Sequence, residues 1–173
     1  IDDVVVGYED KLEICYQVKH EIGNTGKTSL TFASLIKVEQ GKTVKKSLLN
    51  KLAIGWKKAK KSEEKTIVPV LFTNKQLGIN ASKRKYDDNE YTAVGLIKFI
   101  EEIQPLLLPD ISLSDVRKSI TSLDLKIQWD EFSNAIEENE KDILDFLRTL
   151  EIRANEPSLN ELEEKMIEQV KYI

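Results

Sequence analysis

Three polar side chains near the start of the chain have the types and spacing of a metal-dependent hydrolytic site. Asp3 precedes an apolar run, and a second apolar run closes on Gln17, Val18 and Lys19. The Asp3 carboxylate, the Gln17 amide oxygen and the Val18 backbone carbonyl are hard oxygen ligands of the kind that Mg²⁺ prefers. An ammonium beside them, from Lys19, can orient or help deprotonate a water and stabilise charge on a phosphate. Together these groups suit metal-assisted phosphodiester hydrolysis.

A β-hairpin is the element that would bring these groups together. The two apolar runs flank a polar stretch at residues 7–11, which is the ordinary signal for two strands joined by a turn. Alternate side chains of a strand share a face, so we expect Gln17 and Lys19 on one face, about 7 Å apart. A three-residue loop would pair position 3 with position 17, and a two-residue loop would pair position 2 instead. We favour Asp3 over Asp2, because it directly precedes the valines.

Composition bounds the class of protein. The 173 residues are 40% hydrophobic and 32% charged, as in a globular chain of one domain, or of one domain with a helical appendage. No apolar run approaches the roughly 18 residues of a membrane span, so we expect no membrane partner. A single cysteine, Cys15, excludes an internal disulfide and favours the cytoplasm, although a short secreted fragment is also compatible. Because the chain starts at Ile1 inside an apparent strand, we expect it to be a fragment of a larger protein.

The charges divide the chain into two unlike halves. Residues 1–86 carry 17 Lys and Arg against 9 Asp and Glu, whereas residues 87–173 carry 9 against 21. A basic half beside an acidic half is expected when one half meets a polyanion and the other meets solvent or another protein. The plainer interpretation, that the lysines only solubilise an exposed helix, stays open. We predict one nuclease-like domain over residues 1–173, with a basic α/β core at 1–86 and an acidic, mainly helical part at 87–173.

Hydrophobic periodicity predicts the elements that surround the hairpin. In the basic half it predicts helices at 30–38 and 43–61, the second with an apolar stripe ending at Trp56, and a strand at 66–72 in which Pro69 favours an outer or bulged position. In the acidic half it predicts helices at 90–102, 114–123, 130–139 and 141–150 and a short strand at 150–153. A capping-box spacing at residues 157–161 predicts a last helix.

Basic residues of the first half are the candidates for contact with DNA phosphates. They would give affinity that is independent of sequence and falls steeply with salt. Arg84 is the only arginine among them, and because bidentate guanine contacts usually come from arginine, we expect little sequence preference. The candidates are Lys45, Lys46, Lys57, Lys58, Lys60, Lys61, Lys83, Arg84 and Lys85.

Several segments follow one another in the order found in a known family. The chain resembles the CD-NTase-associated DNA endonuclease family, the restriction-endonuclease-like PD-(D/E)xK nuclease domain of bacterial anti-phage effectors, over most of its length. The segments that carry the resemblance are Asp2-Asp3-Val4-Val5-Val6, Tyr16-Gln17-Val18-Lys19-His20, the lysine-rich helix with Trp56, Leu71-Phe72-Thr73-Asn74, and Phe146-Leu147-Arg148-Thr149-Leu150 through Leu159-Asn160-Glu161-Leu162-Glu163.

The resemblance implies a fold, a reaction and roles for particular residues. It implies an α/β fold with a restriction-endonuclease-like core sheet flanked by helices and a helical C-terminal part. It also implies cleavage of double-stranded DNA with Mg²⁺ or Mn²⁺, held in check until a C-terminal sensor or regulatory domain of the parent protein receives a signal. Asp3 and Gln17 would take the metal-ligand positions and Lys19 that of the catalytic lysine. Gln17 departs from the commoner glutamate and leaves one fewer negative charge on the metal.

Two other hypotheses remain at this stage. The chain is alternatively a catalytically inactive module that kept the nuclease fold and binds DNA or a partner protein, which the neutral Gln17 makes credible. A purely structural domain that forms a homo-oligomer explains the acidic helices. It does not explain why an acid, an amide and an amine cluster on apolar strands.

Overall fold

The computed structural model describes residues 4–7, 12–19, 29–38, 46–60, 66–73 and 75–154, and for the first two ranges and for residues 66 and 72 it describes the backbone alone. Helices and small sheets together give a mixed α/β class. The strands are β1 (Val4–Gly7), β2 (Leu12–Lys19), β3 (Ser29–Leu30), β4 (Thr66–Thr73), β5 (Gln76–Leu77), β6 (Ser82–Tyr86), β7 (Asn89–Ala93) and β8 (Glu151–Arg153). The helices are α1 (Phe32–Ile36), α2 (Leu48–Lys60), α3 (Leu96–Ile103), α4 (Leu113–Ser119), α5 (Leu123–Asn134) and α6 (Glu140–Thr149), with a 3₁₀ turn at Gln104–Leu106.

The largest sheet has four strands in the order β1-β2-β4-β8. The first two strands form the predicted antiparallel hairpin, with Val4 opposite Tyr16 and Gly7 opposite Glu13. The other two pairs, β2 with β4 and β4 with β8, are parallel. The hairpin strand β2 is therefore an inner strand, hydrogen-bonded on both sides.

The predicted strand at 66–72 exists, but its predicted outer position is wrong. Its strand β4 lies between β2 and β8, and Pro69 is opposite Cys15 of β2. The pairing with β8 begins only at Val70, opposite Glu151. Among the residues that the structure describes, no strand pairs with the proline on that side, so its missing N–H costs no ladder hydrogen bond there.

Helix α2 packs its apolar stripe on β4. It begins at Leu48, five residues later than predicted, and buries Leu52 and Trp56 from the predicted stripe. The Trp56 indole donates a hydrogen bond to the Ile67 carbonyl of β4 at 3.1 Å, and its ring meets Phe146 of α6 edge-on at 5.6 Å. These contacts fix the helix between the sheet and α6. The prediction of a first helix at 30–38 is confirmed only over the five residues of α1.

The acidic half opens with a hairpin, not with the helix predicted from residue 90. Strands β6 and β7 pair antiparallel from Ser82 opposite Ala93 to Tyr86 opposite Asn89. Asp87 and Asp88 form the two-residue turn, with φ of 47° and 62°. Positive φ at both central residues is the geometry of a type I′ turn, which matches the twist of a hairpin. The predicted helix is confirmed only from Leu96 onward, as α3.

Two serine caps explain why the predicted helices at 114–123 and 130–139 are wrong in their boundaries. The Ser112 hydroxyl accepts from the Asp115 N–H at the start of α4, and the Ser122 hydroxyl accepts from the Leu125 N–H at the start of α5. Each satisfies a backbone donor that the first helical turn leaves free. The chain therefore starts a new helix at 123, where the periodicity alone suggested an end. The helix at 141–150 and the strand at 150–153 are confirmed within a residue or two.

The hydrophobic core takes side chains from both halves of the sequence. At its centre Phe32 of α1, Phe99 of α3 and Phe132 of α5 form a cluster of aromatic rings with centroids 4.9 to 6.0 Å apart. Strand β8, from the acidic half, completes the same sheet as the hairpin of the basic half. Among the helices of the described ranges, none has the length and apolarity that crossing a bilayer requires.

Candidate metal and nucleic-acid site

The Gln17-Val18-Lys19 triplet ends an inner strand of the sheet. Its three backbone positions lie opposite Leu71, Phe72 and Thr73 of the parallel strand β4. The carboxyl ends of these two neighbouring strands therefore meet at one edge, which is where parallel sheets commonly place their sites. Thr73 is fully buried at this edge, and its hydroxyl accepts a hydrogen bond from the Lys75 N–H at 3.2 Å.

The register of the hairpin agrees with the favoured loop. Val4 opposite Tyr16 is the pairing that a three-residue loop was expected to produce, and the two-residue alternative would place Val4 opposite residue 15. Asp3 itself lies outside the described residues, and for Gln17, Val18 and Lys19 the structure describes the backbone only. The metal site at this hairpin therefore stays a prediction.

In the rest of the described chain, no three His, Cys, Asp or Glu side chains come together as they would around a metal ion. The donor set predicted at the hairpin is of another kind, since it combines one carboxylate with an amide oxygen and a backbone carbonyl. Such a set fits Mg²⁺, which keeps several of its own waters and needs few protein ligands.

Two of the candidate lysines lie in ion pairs with the acidic half. The Lys57 amine is 2.8 Å from an Asp142 carboxylate oxygen and also binds Glu138. These hydrogen bonds raise the pKa of Lys57 and, on the other side, lower the pKa of Asp142. Lys60 binds Asp145 at 3.0 Å, and its amine lies 4.7 Å from the ring centre of Trp56. Both lysines thus connect α2 with α6 and the residues before it.

Arg84 is held inside a network of its own. It binds the Glu131 carboxylate in a bidentate manner, with 3.1 Å between Nε and Oε2, and the Tyr91 hydroxyl donates to the same carboxylate. The guanidinium lies 5.7 Å from the ring centre of Phe32. Burial, and then the bond to Glu131, raise the pKa of Tyr91, while the bond to Glu131 raises that of Arg84. This arginine fastens the β6–β7 hairpin to α5.

The other candidates for DNA contact differ in what they touch. Lys58 on α2 and Lys83 on β6 are exposed and make no ion pair with any residue that the structure describes. Lys46 is half-buried, and Lys85 lies 3.2 Å from Asp88 on the surface. Lys45 and Lys61 lie outside the described residues. The roles of all nine basic residues in binding DNA stay predictions, and among the described ones Lys58 and Lys83 are exposed and make no ion pair.

The acidic partners of α2 were missed in the sequence, although a signal was present. Asp142 and Asp145 are three residues apart in α6 and so share one face of the helix, and Glu138 lies just before its N-cap Asn139. Lys57 and Lys60 are three residues apart on α2 and match that spacing. Part of the charge difference between the two halves is therefore neutralised within the protein.

An apolar groove of about 350 Å³ is lined in part by β8, the strand at the end of the four-stranded sheet. Its lining comes from α3, the segment that follows it, the end of α6 and β8, together with Leu77 and Phe132. Charged groups occur at Glu151 and Arg153, whose side chains bind each other at 2.9 Å. No single sequence motif predicts this groove, because its residues come from four separate stretches of the chain, at residues 77, 99–107, 132 and 147–153.

Comparison of the chain with protein-family models, with curated proteins and with solved structures found no match. The resemblance to the nuclease family therefore depends on the residues quoted for it.

Proposed function

We propose that this chain is a metal-dependent endonuclease domain that hydrolyses phosphodiester bonds of double-stranded DNA with little sequence specificity, as part of a bacterial anti-phage effector. The observation that carries the proposal is the position of the Gln17-Val18-Lys19 triplet. It ends an inner strand that is antiparallel to the strand following Asp3 and parallel to β4. The triplet therefore lies where the carboxyl ends of two parallel strands meet, a common position for sites in parallel sheets.

The residues of the hairpin would have different roles in hydrolysis. Asp3, the Gln17 amide oxygen and the Val18 carbonyl would hold Mg²⁺ or Mn²⁺, which supplies Lewis acidity when bound. Lys19 would orient the attacking water and offset the charge that develops on the phosphate. Asp3 is the only charged ligand of this set, so the affinity for the cation depends mainly on it.

Exposed basic residues would hold the DNA by its phosphates. Lys58 and Lys83 are the main described candidates, because Lys57, Lys60 and Arg84 are bound to carboxylates. A set of lysines contributes point charges and reads no bases, which agrees with cleavage of little specificity. Cys15 as the single cysteine supports a reducing, cytoplasmic setting.

Plasmid cleavage by the parent protein tests this function. With Mg²⁺ or Mn²⁺ the unchanged protein should nick and linearise supercoiled plasmid, and Lys19→Ala should lose that cleavage while keeping its fold by circular dichroism. Lys98→Ala, which removes an exposed amine on α3, is the matched control and should cleave as the unchanged protein does. Equal cleavage by Lys19→Ala and Lys98→Ala would refute the assignment.

The second candidate is a module that binds DNA or a partner protein without cutting DNA. Gln17 favours it, because an amide in place of a carboxylate leaves the cation site with a single negative charge. The same assay separates the two functions. DNA retention that needs no metal and gives no cleavage in any variant is the result expected of the module.

A further inference from the structure

The two edges of the β6–β7 hairpin differ in how their backbone groups are satisfied. On the β7 side, the Thr92 N–H donates a hydrogen bond to the Asp124 carboxylate at 3.2 Å. Next to it, the Val94 N–H donates to the Gln128 side-chain oxygen at 2.9 Å, and the Val94 carbonyl accepts from the Gln128 side-chain nitrogen at 3.1 Å. Gln128 is fully buried. Helix α5 therefore takes the place of a neighbouring strand along this edge.

The spacing of residues on α5 explains why its side chains can serve the β7 edge. Asp124 and Gln128 are four residues apart, which is about 6 Å along a helix. Thr92 and Val94 are two residues apart, which is about 7 Å along a strand. Because the two repeats nearly coincide, both side chains reach the backbone, and this edge is closed to a further strand.

The edge on the β6 side is open. The two-residue turn makes Tyr86 and Asn89 the hydrogen-bonded pair that closes the hairpin, and such pairs alternate along an antiparallel ladder. The backbone N–H and C=O groups of Lys83 and Lys85 therefore point away from β7. Across the ranges that the structure describes, no residue forms a hydrogen bond with these outward groups. An unpaired edge of this kind is a template for another strand.

Side chains on the inner face of β6 hold the open edge in place. Arg84 binds the Glu131 carboxylate of α5, and the Tyr86 hydroxyl accepts a hydrogen bond from the Asn134 side-chain nitrogen at 2.6 Å. Because β6 is already fixed, pairing with an extended segment would cost mainly the ordering of that segment.

Charge determines which segment fits this edge. Lys83 and Lys85 share the outer face of β6, and both are exposed. Residues of an added strand would lie with their Cβ atoms about 5 Å from those of the lysines, where opposite charges stabilise a pair and like charges destabilise it. Lys85 has Glu90 opposite it on β7 and Asp88 at 3.2 Å. Lys83 makes no ion pair with any described residue, so it should attract a carboxylate more strongly.

A second copy of β6 is a poor occupant of the edge, because antiparallel pairing of two such strands would place lysines beside lysines. An acidic segment has the complementary charge.

We propose that the open edge of β6 binds an extended acidic segment of a partner protein as an added β-strand. The backbone groups of Lys83 and Lys85 supply its hydrogen bonds, and carboxylates at alternate positions of the segment lie beside the two ammonium groups. The contact does not depend on the proposed nuclease function, although DNA and the segment would compete for Lys83.

Binding of synthetic peptides to the full chain tests this contact. A fluorescently labelled peptide of alternating Thr and Glu should bind saturably at physiological salt, as measured by anisotropy, whereas a peptide of alternating Thr and Lys should not bind. Two further versions of the acidic peptide carry N-methyl groups on every Glu or on every Thr. Because an added strand uses the N–H groups of alternate residues only, one version should lose binding and the other should keep it.

Charge reversal on the strand supplies the second test. Lys83→Glu/Lys85→Glu should bind the acidic peptide about tenfold more weakly than the unchanged protein does. Lys98→Glu/Lys141→Glu changes two exposed lysines on α3 and α6 and gives the same net charge, so it is the matched control. It should bind the acidic peptide as the unchanged protein does.

Four results would overturn the proposal. An acidic peptide that does not bind would mean that the lysines only protect the edge from pairing. Equal binding of the two N-methylated peptides would indicate contact through charge without strand pairing. Equal affinity of the two charge-reversed variants would place the contact elsewhere. Sedimentation that shows a dimer of the unchanged protein, lost in Lys83→Glu/Lys85→Glu, would mean that a second copy occupies the edge.

Discussion

At the scale of single residues, five of the basic side chains that are candidates for contact with DNA fall into two groups. Lys57, Lys60 and Arg84 are bound to carboxylates of the acidic half, and Lys58 and Lys83 face solvent. A sequence gives the number of lysines but not which of them meets an acid 80 residues later. The sequence therefore predicts the nine basic candidates only from their position in the chain. The observed ion pairs distinguish the candidates that are bound to carboxylates from those that are exposed.

The ion pair of Lys57 and Asp142 should make the free energy of unfolding depend on pH. The hydrogen bond from Lys57 lowers the pKa of Asp142 below its ordinary value of 3.8 in the folded protein. Its stabilising effect is complete above that value and is lost as the pH falls through the lower pKa of the folded state. The free energy of unfolding, measured by urea denaturation, should fall less steeply below about pH 4 in Asp142→Asn than in the unchanged protein.

An exposed carboxyl provides the control for this pH dependence. Asp110 makes no ion pair with the residues that the structure describes, and Asn tolerates its positive φ of 59°. Asp110→Asn should keep the steep acid slope of the unchanged protein. A slope that stays the same in Asp142→Asn would show that the ion pair does not contribute to folding stability.

At the scale of elements, the patterns with strong periodicity predicted best. The β1–β2 hairpin, β4, α6 and β8 follow apolar runs in the sequence and are confirmed. The β6–β7 hairpin was missed because its outer residues are charged and its turn, Asp87-Asp88, lacks the Asn-Gly signal. A tertiary contact stabilises it instead, through Arg84 bound to Glu131 of α5.

A single substitution in the turn of the β6–β7 hairpin should stabilise the protein. Asp88 has a φ of 62°, a conformation that glycine adopts without steric cost. Asp88→Gly should raise the free energy of unfolding by about 0.5 to 1 kcal/mol, although it removes the surface contact with Lys85. Thermal unfolding followed by calorimetry is the measurement.

A glycine introduced two residues later should lower the free energy of unfolding. Glu90 lies in β7, where glycine weakens a strand, so Glu90→Gly should destabilise the protein. If Asp88→Gly also destabilised it, the type I′ geometry of the turn would be wrong.

At the scale of the whole molecule, the charge difference between the two halves has two parts. One part is neutralised across the contact of α2 with α6 and of β6 with α5. The other part is exposed and is the part that a polyanion would meet. Composition predicted the asymmetry but not this division, because the division depends on which helices pack together.

The exposed part should govern the salt dependence of DNA binding. Lys58→Ala and Lys83→Ala should each lower the slope of log affinity against log salt concentration by about 1, because each removes one phosphate contact. Fluorescence anisotropy with a labelled duplex at several salt concentrations measures this slope. Lys118→Ala, which removes an exposed lysine paired with Asp115 on α4, is the control and should leave the slope unchanged. Equal slopes for all three variants would remove Lys58 and Lys83 from the interface.

The candidate site was predictable from sequence as far as its strand pairing. The two apolar runs on either side of residues 7–11 predict a hairpin, and the observed register of Val4 opposite Tyr16 agrees with the favoured loop. Metal binding depends on the directions in which the side chains of these residues point. Those directions depend on tertiary packing, which hydrophobic periodicity in the sequence does not predict. The groove lined by β8 likewise requires four separate stretches of the chain to come together.

Mn²⁺ affinity of hairpin variants tests the central claim most directly. If Asp3 and Gln17 share a divalent cation, Gln17→Glu adds a charged ligand and should raise the Mn²⁺ affinity measured by calorimetry about tenfold, while Asp3→Asn should abolish binding. Gln104→Glu, an exposed position on the 3₁₀ turn, is the control and should bind Mn²⁺ as the unchanged protein does. Equal Mn²⁺ affinity in the unchanged protein, Gln17→Glu and Asp3→Asn would contradict a metal centre at this hairpin.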